Sequence, residues 1–548
     1  MPRFRASAAF SSLLLISTRH VAAQETLLNR CTKEVFSLPD VAGVEFVVFR
    51  AEPVLGYSTM TIPVVHIDGG VWSNLNFCNV TVAYIHPGRN DKVTVNVQLP
   101  LHDWNGRFHG SGGAGLAASL PSTAMPSNAL APALSQGYAA ASTDAGHVQD
   151  PFNINWALDE SGQVNIGLLE TFASTSLYEL ALIGKHVVKK FYGRPPRFSY
   201  WNGCSTGGRQ GMILAQRYPD AFDGIVAGTP SFNWAQLLVA EYWPQHVMNR
   251  LGDYPPPCEF DEINRLVIEE EDMVDGVRDG VISDPRRNGF NAKKLVGRPF
   301  MCQGQPWRIS EAAAKIANAV WEGPREASGR QLWYGLLPGT PFFNASDPIT
   351  PGIGGTICKG GTCTGAPFAL ALAWLQLLVF QDPKVDLTRL SNEQYFEALF
   401  TSYQKYDGIM GSANPDLTDF RGRGGKMISW HGLADQLIMP DGTADYYERV
   451  TEHHPDVENF YRHFEAPGVA HCRNGPGAIP KDVLGAVVQW VEDDIVPNML
   501  TAISQTGDGT VRPLCPFPAQ QQYVGGDPKD WHSFACVPPL ERFGNIIV

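Results

Sequence analysis

The chain has 548 residues, of which 44% are hydrophobic and 18% are charged. These fractions are close to those of soluble globular proteins, which excludes a disordered or membrane-spanning chain. Its 55 acidic and 42 basic residues give a formal net charge of −13, so we expect neither nucleic acid nor a membrane as a partner. The length suits one large domain with a substantial insertion, or two or three domains.

Residues 1–23 have the pattern of a secretory signal peptide. Arg3 and Arg5 precede a short apolar run at 9–16, and Val-Ala-Ala at 21–23 suits cleavage by signal peptidase. The run is too short for a transmembrane helix, and no later stretch has the roughly 18 consecutive apolar residues that a span needs. We therefore predict a secreted, extracellular protein.

The cysteines and two glycosylation sequons agree with secretion. The ten cysteines are an even number, which in an oxidising compartment predicts up to five disulfides. None lies in a Cys-x-x-Cys pair, so we do not expect a zinc site. Asn79 in Asn-Val-Thr and Asn344 in Asn-Ala-Ser are candidate glycosylation sites.

Strand and helix patterns alternate in the first half of the chain and again near its end. The predicted elements, in chain order, are a strand at 93–99, a helix at 177–191, a strand at 198–202, a helix at 207–218, strands at 224–227, 426–430 and 460–464, and a helix at 483–491. Such alternation is typical of βαβ units and a largely parallel sheet. The sequence therefore predicts an α/β fold.

Residues 231–423 lack this alternation. They contain loops rich in Gly and Pro, four cysteines and isolated helices such as 311–321. We interpret them as a lid inserted late in the sheet, between the two parts of an α/β domain at 24–230 and 424–548.

The segment Gly-Cys-Ser-Thr-Gly at 203–207 matches G-x-S-x-G, in which the serine lies on a strained turn between a strand and a helix. The match alone is weak, because a chain with 54 glycines gives it readily by chance. Here an apolar strand precedes the motif and a helix follows it. Ser205 is therefore a candidate nucleophile, and the backbone N–H of Thr206 at the helix N-terminus is a candidate oxyanion donor.

A serine hydroxyl needs a base to remove its proton, and α/β-hydrolases supply the partners in the chain order Ser, Asp or Glu, His. Asp435 and His471 each follow a late predicted strand and fit that order. We predict that Ser205 attacks the substrate, that His471 transfers the proton and that Asp435 orients the imidazole. Asp441 and Asp445 compete with Asp435 for this role.

The neighbours of two of these residues support the assignment. Cys204 directly precedes Ser205, and Cys472 directly follows His471. A disulfide holds its two Cα atoms within roughly 4.4 to 6.8 Å, so a Cys204–Cys472 bond would bring serine and histidine within range of a hydrogen bond. His431 fits a packed residue better than the base.

The segment Phe-His-Gly-Ser-Gly-Gly-Ala-Gly at 108–115 follows an early strand. It is similar to the glycine-rich loop that completes the oxyanion hole of lipases and esterases. Glycine allows a backbone N–H to approach the substrate oxygen closely. We predict Gly113 and Thr206 as the two donors, and the alternative is a flexible turn.

These motifs resemble the fungal tannase and feruloyl esterase family, which also includes a bacterial hydrolase of mono(2-hydroxyethyl) terephthalate. The family is marked by a Cys-Ser, Asp, His-Cys set with bonded cysteines, matched here by Cys204-Ser205, Asp435 and His471-Cys472 within Gly-Cys-Ser-Thr-Gly-Gly-Arg-Gln-Gly at 203–211. The resemblance spans most of the mature chain. It implies an α/β-hydrolase fold and a carboxylic ester hydrolase with a serine nucleophile and no redox cofactor.

The segments at 77–84 and 254–259 look particularly like tannases. The resemblance therefore implies small aromatic esters or plant polyphenol or polysaccharide esters as substrates, with gallate esters first and ferulate esters of the plant cell wall as the alternative. An inactive hydrolase fold that serves as a binding protein would lack a triad member. A secreted serine peptidase would share the triad, and activity on peptides would distinguish it.

The family carries calcium in its lid, and the segment Asp-Met-Val-Asp-Gly-Val-Arg-Asp-Gly-Val at 272–281 is similar to that loop. The resemblance implies a structural calcium ion. Its expected ligands are hard oxygen atoms, from the carboxylates of Asp272, Asp275 and Asp279 and the backbone carbonyls of Val277 and Val281. The alternative is an acidic turn with glycines.

The disulfide pairing also follows from the resemblance and from proximity in the chain. Family members often close the calcium loop with a disulfide, but here Glu271 and Asn288 stand where those cysteines are expected. The expected pairs are Cys204–Cys472, Cys31–Cys78, Cys258–Cys302, Cys358–Cys363 and Cys515–Cys536.

Overall fold

The computed structural model describes residues 27–61, 70–119, 128–287 and 289–538. The predicted signal peptide and Asn288 lie outside these residues. The strands are β1 (Glu45–Thr61), β2 (Gly70–Ile85), β3 (Val93–Pro100), β4 (Arg107–Ser111), β5 (Ala139–Thr143), β6 (Phe198–Cys204), β7 (Gly224–Gly228), β8 (Pro299–Cys302), β9 (Gln305–Arg308), β10 (Gly355–Lys359), β11 (Thr362–Ala366), β12 (Lys426–Gly432), β13 (Tyr461–Ala466), β14 (Ala478–Pro480), β15 (Leu500–Ser504), β16 (Val511–Leu514), β17 (Gln520–Tyr523) and β18 (Phe534–Val537).

The α-helices are α1 (Ala131–Ser135), α2 (Ile166–Glu170), α3 (Ser176–Tyr192), α4 (Thr206–Arg217), α5 (Trp234–Ala240), α6 (Trp243–Leu251), α7 (Pro257–Glu271), α8 (Glu311–Glu322), α9 (Ala369–Ala373), α10 (Asn392–Met410), α11 (Thr418–Gly422), α12 (Pro440–His453) and α13 (Val483–Asp493). Two π-helical turns, Thr171–Thr175 and Trp374–Val379, continue α2 into α3 and extend α9. Short 3₁₀ turns are Lys33–Val35, Asn155–Ala157, Asp272–Asp275, Ala292–Leu295, Leu387–Arg389, Val457–Asn459 and Trp531–Ser533.

Nine strands form the central sheet, in the order β1-β2-β3-β5-β4-β6-β7-β12-β13. Neighbouring strands from β5 to β13 are parallel, whereas β1, β2, β3 and β5 pair antiparallel at one side. The predicted strand at 93–99 is the antiparallel β3, whereas the other predicted strands and the helices between them form the parallel part, which confirms the α/β class. The carboxyl ends of its strands meet at one edge of the sheet, where such folds place functional side chains.

Helices cover both faces of the sheet because successive side chains of a strand point to opposite sides. On β6, Trp201 packs into the hydrophobic core shared with α3 and α4, whereas Tyr200 packs with Val487 and Trp490 of α13 on the other face. The apolar stretch Ile166–Tyr192 has the length and composition of a membrane span, but 67% of its most apolar 18-residue window is buried, as in the core helix of a folded domain.

The chain between β7 and β12 contains the residues that we interpret as a lid. It carries α5 to α11 and two small hairpins, β8–β9 and β10–β11. Its hydrophobic core also takes in Leu437, Ile438 and Met439, which follow β12 in the main domain. The lid therefore shares its core with the loop that carries Asp435.

Candidate active site

Ser205 lies in the sharp turn between β6 and α4. It adopts φ 61° and ψ −124°, a strained backbone conformation for a residue with a side chain. Its N–H donates to the carbonyl of Gly228 at 3.0 Å, which holds the turn against β7. A Cβ atom at Gly203 would lie 2.4 Å from the carbonyl carbon of Gly207, so the turn requires glycine there.

His471 and Asp435 complete a chain of hydrogen bonds that begins at Ser205. Oγ of Ser205 lies 3.0 Å from Nε2 of His471, and Nδ1 of His471 lies 2.9 Å from Oδ2 of Asp435. The exposed fractions of Ser205, His471 and Asp435 are 8%, 3% and 0%. The structure thus brings the three predicted residues together in the geometry of a nucleophile, a base and an orienting acid.

The carboxylate of Asp435 is held in its charged form. Oδ1 accepts the N–H groups of Leu437 and Ile438 at 2.8 and 2.9 Å, and Oδ2 accepts Nε2–H of His431 at 3.2 Å. Burial alone would raise the pKa of Asp435, but the charges and hydrogen bonds of His471 and His431 outweigh it and hold the pKa well below its usual range. The ionised carboxylate fixes the proton of His471 on Nδ1 and leaves Nε2 to accept the serine proton.

The two competing aspartates have other partners. Oδ1 of Asp441 lies 2.5 Å from Nε of Arg286, and Oδ2 of Asp445 lies 2.8 Å from Nε of Arg449. Neither carboxylate is hydrogen-bonded to His471, which favours Asp435.

A disulfide between Cys204 and Cys472 joins the serine turn to the histidine loop, and its Cα atoms are 6.2 Å apart. Cys472 adopts φ 61°, as Ser205 does, so the backbone turns sharply at both ends of the disulfide. The structure also forms the other four expected disulfides, Cys31–Cys78, Cys258–Cys302, Cys358–Cys363 and Cys515–Cys536.

The oxyanion hole differs from the prediction at one of its two donors. The N–H of Gly113 donates to Oε1 of Gln210 at 2.9 Å, so it is not free for a substrate oxygen. The prediction of Gly113 failed because Gln210 supplies a buried acceptor to this loop. No described residue accepts a hydrogen bond from the N–H of Thr206, whose hydroxyl donates to the carbonyl of Gly115 at 2.7 Å.

Two residues of α4 that sequence reasoning passed over hold this region in place. Gln210 also donates from Nε2 to the carbonyl of Ala118 at 3.1 Å, which fixes the glycine-rich loop from both ends. Arg209 donates to the carbonyl of Met410, the last residue of α10, at 3.0 and 3.1 Å. Its full burial lowers the pKa of Arg209 to about 9. Arg209 and Gln210 both belong to the family motif at 203–211, so the motif could have pointed to them as candidate residues.

Gln436 and Glu241 carried no signal in the sequence. Gln436 is the residue after Asp435, and its Oε1 accepts the N–H of His471 at 3.1 Å. Glu241, just after α5, is 3% exposed, and its Oε2 has no hydrogen-bond partner among the described residues. Burial, and then the negative charge of Asp435, raise the pKa of Glu241 well above its usual 4.5. A neutral acid therefore lies close to the triad.

In the predicted calcium loop, the three aspartate carboxylates accept hydrogen bonds from backbone N–H groups of the same loop. Oδ1 of Asp272 accepts the N–H groups of Asp279 and Gly280 at 3.1 and 2.9 Å. Oδ1 of Asp275 accepts the N–H of Val277 at 2.9 Å, and Oδ1 of Asp279 accepts that of Val281 at 3.2 Å. The atoms that could bind a metal in this loop are all carboxylate or carbonyl oxygen atoms, which suits a hard cation.

Two observations set limits on metal binding. Oδ2 of Asp279 is already paired with Nη2 of Arg512 at 2.9 Å, which places a competing positive charge at the loop. Among the described residues, three ligand-type side chains come within 4.8 Å of one another at Asp416, His453 and His454, away from the loop. Nε2 of His454 there accepts the N–H of Leu417 at 3.1 Å, so its lone pair is not free for a metal.

A parallel sheet with a serine at a strand-to-helix turn, followed by an aspartate and a histidine, defines a serine hydrolase with the α/β-hydrolase fold. The chain belongs to the tannase and feruloyl esterase family, because the family model described as "Tannase and feruloyl esterase" matches residues 78–537. The predicted family and fold are confirmed, and the protein is a carboxylic ester hydrolase with a serine nucleophile.

Two curated relatives illustrate the range of the family. The chain is 39% identical over 476 residues to a "Probable feruloyl esterase" of Arthroderma benhamiae, with 85% of this chain and 86% of the relative covered. It is 28% identical over 524 residues to a "Tannase" of Aspergillus oryzae, again with 85% and 86% covered.

Solved structures of the same two kinds share the fold. The tannin acyl hydrolase from Aspergillus niger matches with a TM-score of 0.80 at 25% identity, covering 94% of this chain and 96% of that one. Feruloyl esterase B from Aspergillus oryzae matches with a TM-score of 0.75 at 24% identity, covering 93% and 100%.

Proposed function

We propose that the protein hydrolyses esters of aromatic hydroxy acids through an acyl-enzyme. The observation that carries the proposal is the continuous hydrogen-bond chain from Ser205 through His471 to Asp435, buried where the lid meets the sheet. The ionised Asp435 orients His471, which removes the serine proton and so makes Ser205 a nucleophile.

The geometry assigns each proton transfer. Oγ of Ser205 attacks the ester carbonyl carbon while its proton moves to Nε2 of His471, and the N–H of Thr206 faces the negative charge that develops on oxygen. The carbon–oxygen bond to the alcohol then breaks, and the alcohol takes the proton from His471. A water molecule attacks the acyl-enzyme and gives a proton to His471. The acid leaves as Oγ regains that proton.

Two acids are candidates for the acyl group. Gallate is favoured by the tannase-like segments at 77–84 and 254–259. Ferulate is favoured by the 39% identity to the Arthroderma benhamiae protein, which exceeds the 28% identity to the Aspergillus oryzae tannase. Both acids are planar rings with hydroxyl groups.

A substrate panel with an inactive variant tests the proposal. The kcat/KM is measured for methyl gallate, methyl ferulate, methyl benzoate as a ring without hydroxyl groups, and a peptide. We expect activity on the first two, little on the others, and a loss of about 10³-fold or more in Ser205→Ala. A correctly folded Ser205→Ala variant with the parental rate would overturn the mechanism, and peptide cleavage would overturn the substrate class.

We also propose that the loop around Asp272 and Asp275 binds a structural calcium ion. The oxygen-only donor set supports it, and the Arg512–Asp279 ion pair makes it weaker than a site with three free carboxylates. Elemental analysis should find calcium in the purified protein, and a chelator should lower Tm by several degrees, as for any ligand that binds the native state. Asp272→Asn should remove both effects. No calcium and an unchanged Tm would refute the site.

We further propose that the protein is secreted and carries a glycan on Asn344. The five disulfides support an oxidising compartment. Asn344 is exposed, whereas Asn79 is half-buried in β2 between Glu52 and Gln98. Intact mass before and after enzymatic deglycosylation should show a glycan that Ser346→Ala removes. A protein found only inside its host cell would contradict secretion.

A further inference from the structure

A cavity of about 530 Å³ lies between the lid and the loops that carry Asp435 and His471. Its lid side comes from α7 and from residues 338–347, and its other side comes from residues 433–436 and 468–476. Ala434, Gln436 and Ala470 are among its lining residues but Ser205 and Thr206 are not, so the cavity adjoins the loops of Asp435 and His471 without including the nucleophile. Its volume is that of ordinary small-molecule sites, about 300 to 1,000 Å³.

The lining combines an apolar wall with oxygen acceptors and amides. Ile268, Ile282 and Phe343 are apolar, and the charged side chains among the described lining residues are two acids, Asp261 and Asp347. Oδ2 of Asp347 lies 3.8 Å from Nη2 of Arg473, so Asp347 is already paired and the repulsion of an anionic ligand would come from Asp261. Asn344, Gln436 and Asn474 add amide groups, which both donate and accept hydrogen bonds, as hydroxyl groups do.

The polar part of the wall is fixed before any ligand arrives. Both ends of Gln436 are in use, since Oε1 accepts the N–H of His471 and Nε2 donates to the carbonyl of Thr350 at 2.7 Å. Oδ1 of Asp347 accepts the N–H groups of Ile349 and Thr350, and Oδ2 accepts the Thr350 hydroxyl at 2.7 Å. Binding would therefore order few side chains, which favours affinity.

We propose that this cavity binds a neutral ring of monosaccharide size that carries several hydroxyl groups. The ring stacks on the apolar wall, and its hydroxyls donate to Asp261, because both oxygens of Asp347 already have partners. Two sources supply this chemistry. One is a soluble sugar, and the other is the chain's own glycan, because the sequon residue Asn344 is itself in the lining. The inference does not depend on the proposed substrate.

The probes are four sugars with one ring geometry and different charge. Glucose and N-acetylglucosamine are neutral, glucuronate is anionic and glucosamine is cationic. Each is titrated to about 50 mM by saturation-transfer NMR and calorimetry, a range that detects millimolar Kd values. The protein is the full secreted chain with Ser205→Ala, which removes turnover, compared with the same chain carrying Ser346→Ala. That change removes the sequon and alters no lining residue.

We expect glucose and N-acetylglucosamine to bind the chain without the sequon, and glucuronate not to bind. If the glycosylated chain also binds them, the source is a soluble sugar. If glycosylation blocks them, the cavity holds the chain's own glycan. Asp261→Leu should weaken binding about tenfold or more. Glu269→Leu, on the same helix α7 but outside the lining, should not.

Three results would overturn the proposal. One is the absence of neutral-sugar binding to the chain without the sequon, and another is equal binding of glucose and glucuronate. The third is a glucosamine affinity about tenfold above that of glucose, which would indicate a site for cations. Asp261→Leu in the otherwise parental chain should keep its kcat on methyl gallate and its Tm, which excludes a general folding defect.

Discussion

Gln436 ties the backbone of the catalytic His471 to the lid. Its Oε1 accepts the His471 N–H at 3.1 Å, while its Nε2 donates to the lid carbonyl of Thr350 at 2.7 Å. The preceding residue is Asp435, so one side chain connects the acid, the base and the lid. The position of His471 therefore depends on the lid even though no lid residue belongs to the triad.

Gln436→Leu should lower kcat more than it changes KM. Leucine has a similar volume but leaves the His471 N–H and the Thr350 carbonyl buried without partners, which costs about 1 to 3 kcal/mol for each group. A displaced base lowers the rate of attack, so we expect kcat to fall about 10- to 100-fold. Steady-state kinetics on methyl gallate test this. Gln331→Leu, which removes a hydrogen bond at the lid surface, is the control and should keep the parental kcat.

The double variant Cys204→Ser, Cys472→Ser should lower turnover more than it disturbs the fold. The disulfide fixes the serine turn and the histidine loop at a Cα separation of 6.2 Å, and without it their register depends on loop packing. We expect kcat to fall about tenfold or more at temperatures where the variant is folded. The matched control removes Cys358 and Cys363, a hairpin pair in the lid. Equal kcat values in both double variants would show that the first bond is not needed for catalysis.

The triad was predictable from the sequence because covalent neighbours restrict where distant residues can lie. Ser205 and His471 are 266 positions apart, yet the cysteines beside them imply contact. The acid of the triad must follow a late strand and precede the histidine, which left few aspartates as candidates. The strands on either side of the proposed lid, β7 and β12, lie where the alternation of strands and helices stops and resumes in the sequence.

The supporting side chains were not predictable in the same way. Gln210 and Gln436 each bridge loops that are far apart in sequence. Gln210 lies in the motif at 203–211, but no spacing or neighbour indicates which groups either glutamine binds. Gly113 was assigned to the oxyanion hole because glycine permits close approach, but Gln210 takes up its N–H. The edge strand β1 and its neighbour β2 form a long antiparallel hairpin, which an alternation of strands and helices does not indicate.

Gln210→Leu should weaken stabilisation of the oxyanion. The substitution releases the Gly113 N–H and the Ala118 carbonyl, so the glycine-rich loop beside Thr206 loses the two hydrogen bonds that Gln210 supplies. We expect kcat to fall about tenfold or more. The affinity for an aryl boronic acid, which mimics the tetrahedral intermediate, should fall with it. Gln216→Leu, further along α4, removes hydrogen bonds to Ser412 and Tyr446 and serves as the control, with a lower Tm but an unchanged boronic acid affinity.

Glu241→Gln should stabilise the protein increasingly as the pH rises. Below pH 4.5 the acid is protonated in both the folded and the unfolded chain, so it has no effect on pH dependence. Above that value the unfolded chain ionises while burial and Asp435 keep folded Glu241 neutral, so the parental protein loses stability with rising pH until its folded pKa is reached.

Glutamine does not titrate, and any packing cost that it brings is the same at every pH. The Tm difference between Glu241→Gln and the parental chain should therefore grow in favour of the variant as the pH rises above 4.5, by roughly 1 to 3 °C per pH unit. Glu452→Gln, at an exposed position of α12, should show a flat difference. A flat difference for Glu241→Gln, or one that falls with pH, would mean that Glu241 is ionised in the folded protein and that its negative charge persists beside Asp435.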